Sequence, residues 1–125
     1  MSKYNAKKCQ MYGIVFDSRH EAERYTVLRD MLKNKEISNL SIQVPFELIP
    51  EQREESTEIY RSGKNKGKLK PGQLLERPLT YIADFVYTDK NGNVVVEDAK
   101  GMRTKEYIIK RKLMLYMRKI RIKEV

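Results

Sequence analysis

The chain of 125 residues suits one domain, and its 40% hydrophobic and 34% charged residues are typical of a globular protein rather than a disordered one. A formal net charge of +9 favours a polyanionic partner, nucleic acid before an anionic membrane surface, although a solubilising surface charge would explain it equally well. No segment approaches the roughly 20 apolar residues of a membrane span, and one cysteine with one histidine excludes a closed zinc site, which leaves oxygen ligands for any metal.

The first 50 residues are predicted to hold one helix between extended segments. Residues 1–8 read as a basic arm, and residues 10–16 as a short strand or hairpin. The polar N-terminus has no apolar segment typical of a secretory signal, so we expect a cytoplasmic protein. The helix should run from Ser18 to about Lys35, because Ser18 and Glu21 have the spacing of a capping box. Residues 39–50 are then extended, with a proline that interrupts or bends the strand.

Residues 51–78 differ in composition from the rest of the chain. Glycine and proline recur there among many charged residues, which predicts a basic loop or hairpin inserted into the fold. Its basic side chains can follow a phosphate backbone without reading bases. The expected nucleic-acid contacts in this insertion are Lys64, Lys66, Lys68 and Lys70.

Two strands, at 80–88 and 93–100, are predicted to form a hairpin around Asn91 and Gly92. A two-residue loop would pair Asp84 with Ala99 and separate Asp84 from Asp98. A three-residue loop that includes Lys90 instead pairs Asp84 with Asp98, and it suits a type I turn followed by a left-handed glycine. A site shared by the two aspartates therefore requires the longer loop.

A second helix from Thr104 to about Met117 and a final edge strand at 119–125 complete the prediction. The order of elements indicates a mixed α/β or α+β fold in which helices flank a central sheet. Lys110, Arg111 and Lys112 lie on the second helix as a basic patch, which is either a solvated face or a phosphate contact.

Polar side chains interrupt the apolar hairpin at three positions. Asp84 lies within the first strand, and Asp98 and Lys100 share one face of the second with the preceding valines. Charges at such positions are costly to desolvate unless they pair or bind a metal ion. Two carboxylates can hold a divalent cation that activates water for phosphodiester hydrolysis, while a lysine orients that water or stabilises the transition state.

This arrangement resembles the D…(D/E)-x-K signature of the PD-(D/E)XK nucleases, although Ala83 stands where the superfamily has its proline. Four segments resemble a phage-encoded group of small nucleases, long filed as a domain of unknown function and compared with Holliday-junction resolvases. The segments are GIVFDSRHEAERY (13–25), ISNLSIQVPFEL (37–48), YIADFVY…GNVVVEDAKG (81–101) and TKEYIIKRKLML (104–115).

The resemblance implies a restriction-endonuclease-like mixed sheet flanked by helices, in a single domain over residues 1–125. It implies Mg²⁺ or Mn²⁺ held by Asp84, Asp98 and the Ala99 carbonyl, with Lys100 catalytic and Glu21 in support. It further implies DNA as the substrate, branched DNA in particular, with a homodimer to cut two strands of a junction. The corresponding setting is the cytoplasm of a bacterial host, as a phage or prophage protein.

Each site residue also has a purely structural interpretation. Asp84 would bond a loop backbone, Asp98 and Lys100 would form a strand-end ion pair, and Glu21 would complete the helix cap. Glu97, which faces away from Asp98, is expected to be a solvated charge. Three further residues are weaker candidates for the site than those above. We expect His20 to be a surface side chain, Gln43 to have a structural role first, and Cys9 to be inert. The alternative function is a non-catalytic nucleic-acid-binding protein that retains the nuclease fold.

Overall fold

A computed structural model describes residues 8–125, so most of the predicted basic arm lies outside the described residues. Its elements in chain order are β1 (Cys9–Met11), β2 (Ile14–Phe16), α1 (Arg19–Lys33), β3 (Ser38–Ile49), β4 (Gln52–Arg53), β5 (Leu74–Glu76), β6 (Leu79–Thr88), β7 (Val94–Asp98), α2 (Lys105–Arg118) and β8 (Lys123–Glu124). Every predicted helix and strand is present, with bounds displaced by a few residues.

A four-stranded mixed sheet in the order β3-β6-β7-β8 forms the centre of the fold. The strands β3, β6 and β7 pair antiparallel, and β8 joins β7 in parallel. Pro45 lies within β3 without breaking it, because β3 is an edge strand and the missing proline N–H costs no internal ladder bond. The predicted interruption at this proline is therefore wrong, and the segment is one continuous strand.

The two helices cover opposite faces of this sheet. Leu28 of α1 packs in one cluster with Phe85 of β6, and Met114 of α2 packs in the other with Val96 of β7. Consecutive residues of a strand point to opposite faces, and Val95 and Val96 accordingly belong to different clusters. The architecture is the predicted mixed α+β sheet flanked by helices, consistent with a restriction-endonuclease-like fold. Neither helix in residues 8–125 is long and apolar enough to span a membrane.

Both helices begin as their sequences predict. The Ser18 hydroxyl accepts a hydrogen bond from the Glu21 backbone N–H at 3.1 Å, which satisfies one of the free donors at the start of α1. Thr104 does the same for the Tyr107 N–H at the start of α2. The cap of α1 fixes Glu21 in the first turn, at the end of the helix that lies beside the two aspartates.

The basic insertion forms a hairpin. Strands β4 and β5 pair at its base, and Ile59 bridges Leu69 further out. Gly72 is required at the base, because an added Cβ would lie 1.8 Å from the Glu54 carbonyl oxygen. The hairpin leaves the sheet between the end of β3 and the start of β6, opposite the end that carries the β6–β7 turn.

Candidate active site

The β6–β7 hairpin has the register that a shared site requires. Thr88 pairs with Val94 and Phe85 with Glu97, and continuing this register sets Asp84 opposite Asp98. The Asp89 N–H donates to the Asn93 carbonyl at 2.8 Å, so the loop contains three residues. Its last residue is Gly92, with a φ of 83°, as the predicted type I turn and bulge demand. The register prediction is confirmed.

Side chains on β3 change faces at Gln43, next to the site. Leu40 and Ile42 pack on the α1 side of the sheet, whereas Phe46 and Leu48 pack on the α2 side, although all four have even numbers. The backbone of Gln43 has a φ of 50°, a left-handed conformation that costs about 1 kcal/mol or more outside glycine. At this residue, which lies opposite Asp84, the side chains of β3 stop alternating regularly between the two faces of the sheet.

The strand β6 changes faces at the same level. Tyr81 and Ala83 pack on the α2 side, and Phe85 and Tyr87 pack on the α1 side. Asp84 lies between the two pairs and is only partly exposed. Its Oδ2 accepts a hydrogen bond from the Ala99 N–H at 2.8 Å, which ties it to the end of β7. The loop-backbone contact expected of a structural aspartate therefore exists, and it leaves Oδ1 of Asp84 beside Gln43.

Glu21 approaches the same point from α1 and is buried, with 3% of its surface exposed. The Gln43 Nε2 donates to Glu21 Oε1 at 2.7 Å and lies 3.4 Å from Asp84 Oδ1, so it connects the two acids. Burial raises the pKa of Glu21, and the negative charges of Asp17 and Asp98 add to that shift. Gln43 is thus part of the site rather than only structural.

Asp98 is almost fully buried at the end of β7. The Tyr81 hydroxyl donates to its Oδ2 at 2.5 Å, which occupies one carboxylate oxygen. Within residues 8–125 its Oδ1 accepts no hydrogen bond, and its charged partner is the Lys100 ammonium, whose Nζ lies 3.3 Å away in an ion pair. One partly exposed lysine satisfies a buried carboxylate oxygen incompletely, so this oxygen can still accept a cation.

Lys100 lies at the border of this cluster, with about a third of its side chain exposed. Its Nζ is 4.6 Å from the centre of the Tyr107 ring, at a distance that favours a cation–π contact. Tyr107, in the first turn of α2, is buried in the core. The ring and Asp98 together hold the ammonium group beside the carboxylates, at the edge of a cavity of about 260 Å³ that Lys110 also borders.

The negative charge of Asp98 raises the pKa of both Asp84 and Glu21. Burial is the largest cause that lifts the pKa of Asp84 to about 7, followed by the charges of Asp98 and Glu21. A divalent cation would remove this repulsion and occupy Asp98 Oδ1. Within residues 8–125, no group of three His, Cys, Asp or Glu side chains is arranged to hold a metal ion. The donors that fit an oxygen-preferring cation are the two aspartates and the Ala99 carbonyl beside them.

Residues 1–124 match the family model for "Protein of unknown function (DUF1064)". The chain belongs to that family. No curated protein matches the sequence, and no solved structure matches the fold. The match covers nearly the whole chain, so the β6–β7 hairpin and both helices lie within the family's shared sequence.

The prediction for Glu97 is wrong. Its side chain is fully buried rather than solvated, and both of its carboxylate oxygens accept hydrogen bonds from Arg24, at 2.7 and 2.8 Å. The Tyr87 hydroxyl is a further partner. Glu97 faces the α1 side as its strand position predicts, but α1 covers that face and supplies the arginine. The sequence contained a signal for this pairing in Arg24, which falls on the same side of α1 as Glu21 and Leu28.

The three basic residues of α2 do not form one patch. Lys110 borders the cavity beside Lys100 and pairs with Glu106 at 3.1 Å. Arg111 and Lys112 border a separate cavity next to β8. Successive residues of a helix are about 100° apart, so a run of three spreads over more than half its circumference.

Two further residues complete the surroundings of the site. His20 is exposed, and its Nε2 lies 2.8 Å from the Val125 carbonyl oxygen, which makes it a contact between α1 and the end of the chain. Tyr81 is the residue that sequence analysis missed in the site. It is one of several aromatic residues in an apolar strand, and nothing in that pattern singles out the hydroxyl that contacts Asp98.

Proposed function

We propose that this protein is a metal-dependent endodeoxyribonuclease. The observation that carries the proposal is the cluster of Asp84, Asp98 and Glu21 at one point of the fold, in which the buried Oδ1 of Asp98 accepts no hydrogen bond within residues 8–125 and is paired with the Lys100 ammonium at 3.3 Å. A cluster of this kind is unfavourable for folding by itself, since three acids are partly or fully removed from water. The same cluster, with the Lys100 ammonium beside it, is suited to bind a divalent cation and a phosphate group.

The ligands proposed for Mg²⁺ or Mn²⁺ are the carboxylates of Asp84 and Asp98 and the Ala99 carbonyl. A bound cation would stabilise charge on the phosphate and acidify a water molecule. Hydrolysis adds that water's oxygen to phosphorus and breaks the bond to one ester oxygen, which leaves with a proton. The chain's own residues must position the water, accept its proton and supply positive charge.

Lys100 is placed to supply that charge. Its Nζ is already held by Asp98 and by the Tyr107 ring, so little side-chain entropy is lost when it contacts a phosphate oxygen or the attacking water. Glu21 is the candidate proton acceptor, because burial raises the pKa of its carboxyl and Gln43 fixes its orientation. Tyr81 positions Asp98 by occupying its second oxygen.

DNA is proposed as the substrate because the chain carries a net charge of +9 and a basic hairpin projects beyond the site. The preference for branched DNA, such as a four-way junction, follows from the family resemblance. Residues 8–125 contain one such cluster, so paired cuts on a junction would require a homodimer. The proposed setting is the cytoplasm of a bacterial host that carries a phage or prophage.

The decisive experiment is a cleavage assay with Mg²⁺ or Mn²⁺ on linear duplex, single-stranded, flap and four-way-junction DNA. Asp84→Asn, Asp98→Asn and Lys100→Ala should each abolish cleavage, by about 1,000-fold or more, because each removes a group that acts on the reacting phosphate. The Lys100→Ala protein should still bind DNA. Glu23→Gln, an exposed acid on the same helix as Glu21, is the matched control.

Full cleavage by a folded Asp98→Asn protein would refute the assignment. If the wild-type protein binds DNA but cleaves none of the four substrates with either cation, the alternative of a non-catalytic DNA-binding protein with this fold replaces it. Binding and cleavage are therefore measured on the same preparation.

A further inference from the structure

A cavity of about 710 Å³ lies between α2 and the last strand rather than over the acidic cluster. Leu115 and Ile122 supply its apolar wall. Its charged lining is one acid, Glu124, and five basic residues, Arg103, Arg111, Lys112, Arg121 and Lys123. We call this cavity the α2–β8 groove. Its lining carries a formal charge of +4. Neither the packing of the sheet and helices nor the acidic cluster accounts for this charge.

The groove adjoins the candidate active site. Strand β8 pairs in parallel with β7, and Glu124 is the direct partner of Asp98 in that ladder. Adjacent strands lie about 4.8 Å apart, so the groove starts one strand away from the acid proposed to bind the cation. Arg103, which borders the groove, follows Lys100 by only three residues in the chain. A polymer bound across the acidic cluster would therefore pass within one strand's width of the groove.

Two of the arginines are held in place by the acid. Arg103 donates from Nε to both Glu124 oxygens at 3.1 Å, and Arg111 Nη1 contacts Glu124 Oε2 at 3.3 Å. Each guanidinium keeps further N–H groups for a second acceptor, since arginine has five donors. Glu124 thus orients two donor groups without neutralising the whole groove.

The remaining basic side chains extend the groove along the sheet edge. Lys112 and Arg121 are exposed, and neither forms an ion pair in the described part of the chain. Lys123 also borders the groove, but its Nζ lies 3.9 Å from Glu97 Oε2 and so reaches toward the α1 side of the sheet. A row of phosphates can contact both the oriented arginines and the unpaired basic side chains, whereas a single small anion is too short to contact all of them.

We propose that the α2–β8 groove binds the phosphodiester backbone of nucleic acid. The ligand's identity rests on the proposed function, because the groove would hold the stretch of strand that extends past the cleaved bond. Binding itself does not depend on catalysis. The groove contacts backbone without reading bases, so it should raise affinity similarly for all sequences and in a salt-dependent way.

The test measures binding of fluorescent duplex DNA by anisotropy in EDTA, where cleavage is suppressed. The variant is Lys112→Gln/Arg121→Gln. Its control is Lys35→Gln/Lys90→Gln, which removes the same charge from two exposed lysines beside the β6–β7 turn, at the other end of the sheet. The groove variant should bind on the order of tenfold to a hundredfold more weakly than the control at about 0.1 M salt. Its slope of log K against log salt should fall by about 1.8.

Equal affinity and equal slope for the two variants would overturn the proposal. A second measurement uses the wild-type protein and an amine-reactive label, from which bound DNA should protect Lys112 but not Lys35 and Lys90. Uniform protection, or none, also overturns it. Competition by polyglutamate or inorganic phosphate as effective as by unlabelled DNA at matched charge would assign the groove to acidic peptides or free anions instead.

These outcomes are separate from those of the proposed function. If the protein cleaves DNA but the groove variant binds as the control does, the nuclease proposal stands and the groove proposal is overturned. If the groove variant binds more weakly but the wild type cleaves no substrate, the groove proposal stands and the nuclease proposal is overturned.

Discussion

Glu21 and Glu23 lie two residues apart on α1 in opposite environments. Glu21 is buried and bonded to Gln43, whereas Glu23 is exposed and pairs with Arg19 one turn earlier. The helical spacing predicts this contrast, since the two side chains point about 200° apart around the axis. On the same side of the helix as Glu21, Leu28 is buried and Tyr25 is partly buried, whereas Leu32 is 40% exposed because α1 ends just beyond it.

We therefore expect Glu21→Gln and Glu23→Gln to differ in cleavage rate rather than in stability. Glu21→Gln should lose about 100-fold or more in rate, because the amide cannot accept a proton or neutralise a cation. Its melting temperature should change little, since a neutral side chain in this position avoids the cost of a buried charge. Glu23→Gln should match the wild type in both measurements. A Glu21→Gln protein that cleaves normally but melts early would instead make Glu21 a helix-capping residue.

Asp84 makes the metal-free protein sensitive to pH. Its pKa is raised from an ordinary 3.8 to about 7, first by burial and then by Asp98 and Glu21. A raised pKa means that the folded state holds the proton more tightly than the unfolded state does. The corresponding stability is fully present below about pH 4 and is lost as the pH rises through about 7.

In EDTA, the melting temperature of the wild type should therefore fall between about pH 5 and about pH 8 more than that of Asp84→Asn, which has no proton to lose. Excess Mg²⁺ should reverse the wild-type loss, because a cation binds the ionised carboxylates and replaces the proton. Thermal denaturation across this range, with and without Mg²⁺, measures both effects. Identical pH profiles for the two EDTA-treated proteins would show that Asp84 is not the group responsible.

Among the structural elements, α1 and β7 are joined by a buried ion pair between Arg24 and Glu97. This pair lies on the opposite face of the sheet from Asp98 of the candidate active site. Glu97 is completely buried, and Arg24 retains 21% of its side-chain surface. Asp98 is the next residue on the strand and points to the other face. Arg24 thus anchors β7 from the α1 side, while Asp98 is presented on the α2 side.

Arg24→Met should destabilise the protein by about 3 kcal/mol, because it leaves the Glu97 carboxylate buried without its strongest partner. Arg19→Met breaks an ion pair on the same helix whose members are 86% and 59% exposed, and it should cost less than about 0.5 kcal/mol. Adding Glu97→Leu to Arg24→Met should recover part of the stability, since the unpaired charge is then gone. Urea denaturation of the four proteins measures these differences. Equal losses for Arg24→Met and Arg19→Met would contradict the buried-pair interpretation.

The elements that local rules govern were predictable from the sequence. Ser18 and Thr104 mark helix starts by hydrogen bonds within a few residues, and Gly92 marks a turn by its positive φ. The register that brings Asp84 opposite Asp98 follows from that turn. The left-handed conformation of Gln43 was not predictable, because it depends on how β3 twists against β6 and no residue type there demands it. The burial of Glu97 likewise depends on which helix covers its face.

At the scale of the whole molecule, two basic surfaces among residues 8–125 lie near the acidic cluster. One is the α2–β8 groove beside β7. The other is the basic hairpin, which leaves the sheet at Leu79, five residues before Asp84 on β6 and so about 17 Å from it. Both surfaces lie within a few nucleotides' reach of the site. A nucleic acid bound across the molecule would contact the hairpin, the cluster and the groove in turn.

The hairpin lysines should therefore contribute electrostatic affinity that adds to that of the groove. Lys64, Lys66 and Lys68 are exposed, and Lys70 pairs only weakly with Glu58, at 3.8 Å. Replacing all four with Gln should weaken duplex binding similarly for different sequences. For every phosphate that these lysines no longer neutralise, the slope of log K against log salt should fall by roughly 0.9. Combining these changes with the groove variant should give the sum of the two slope reductions, because the surfaces share no residue and distant sites act independently. Anisotropy titrations over a range of salt concentrations provide the slopes. A slope left unchanged by the four hairpin substitutions would show that DNA does not reach the hairpin, and the path of the bound strand would then run through the groove alone.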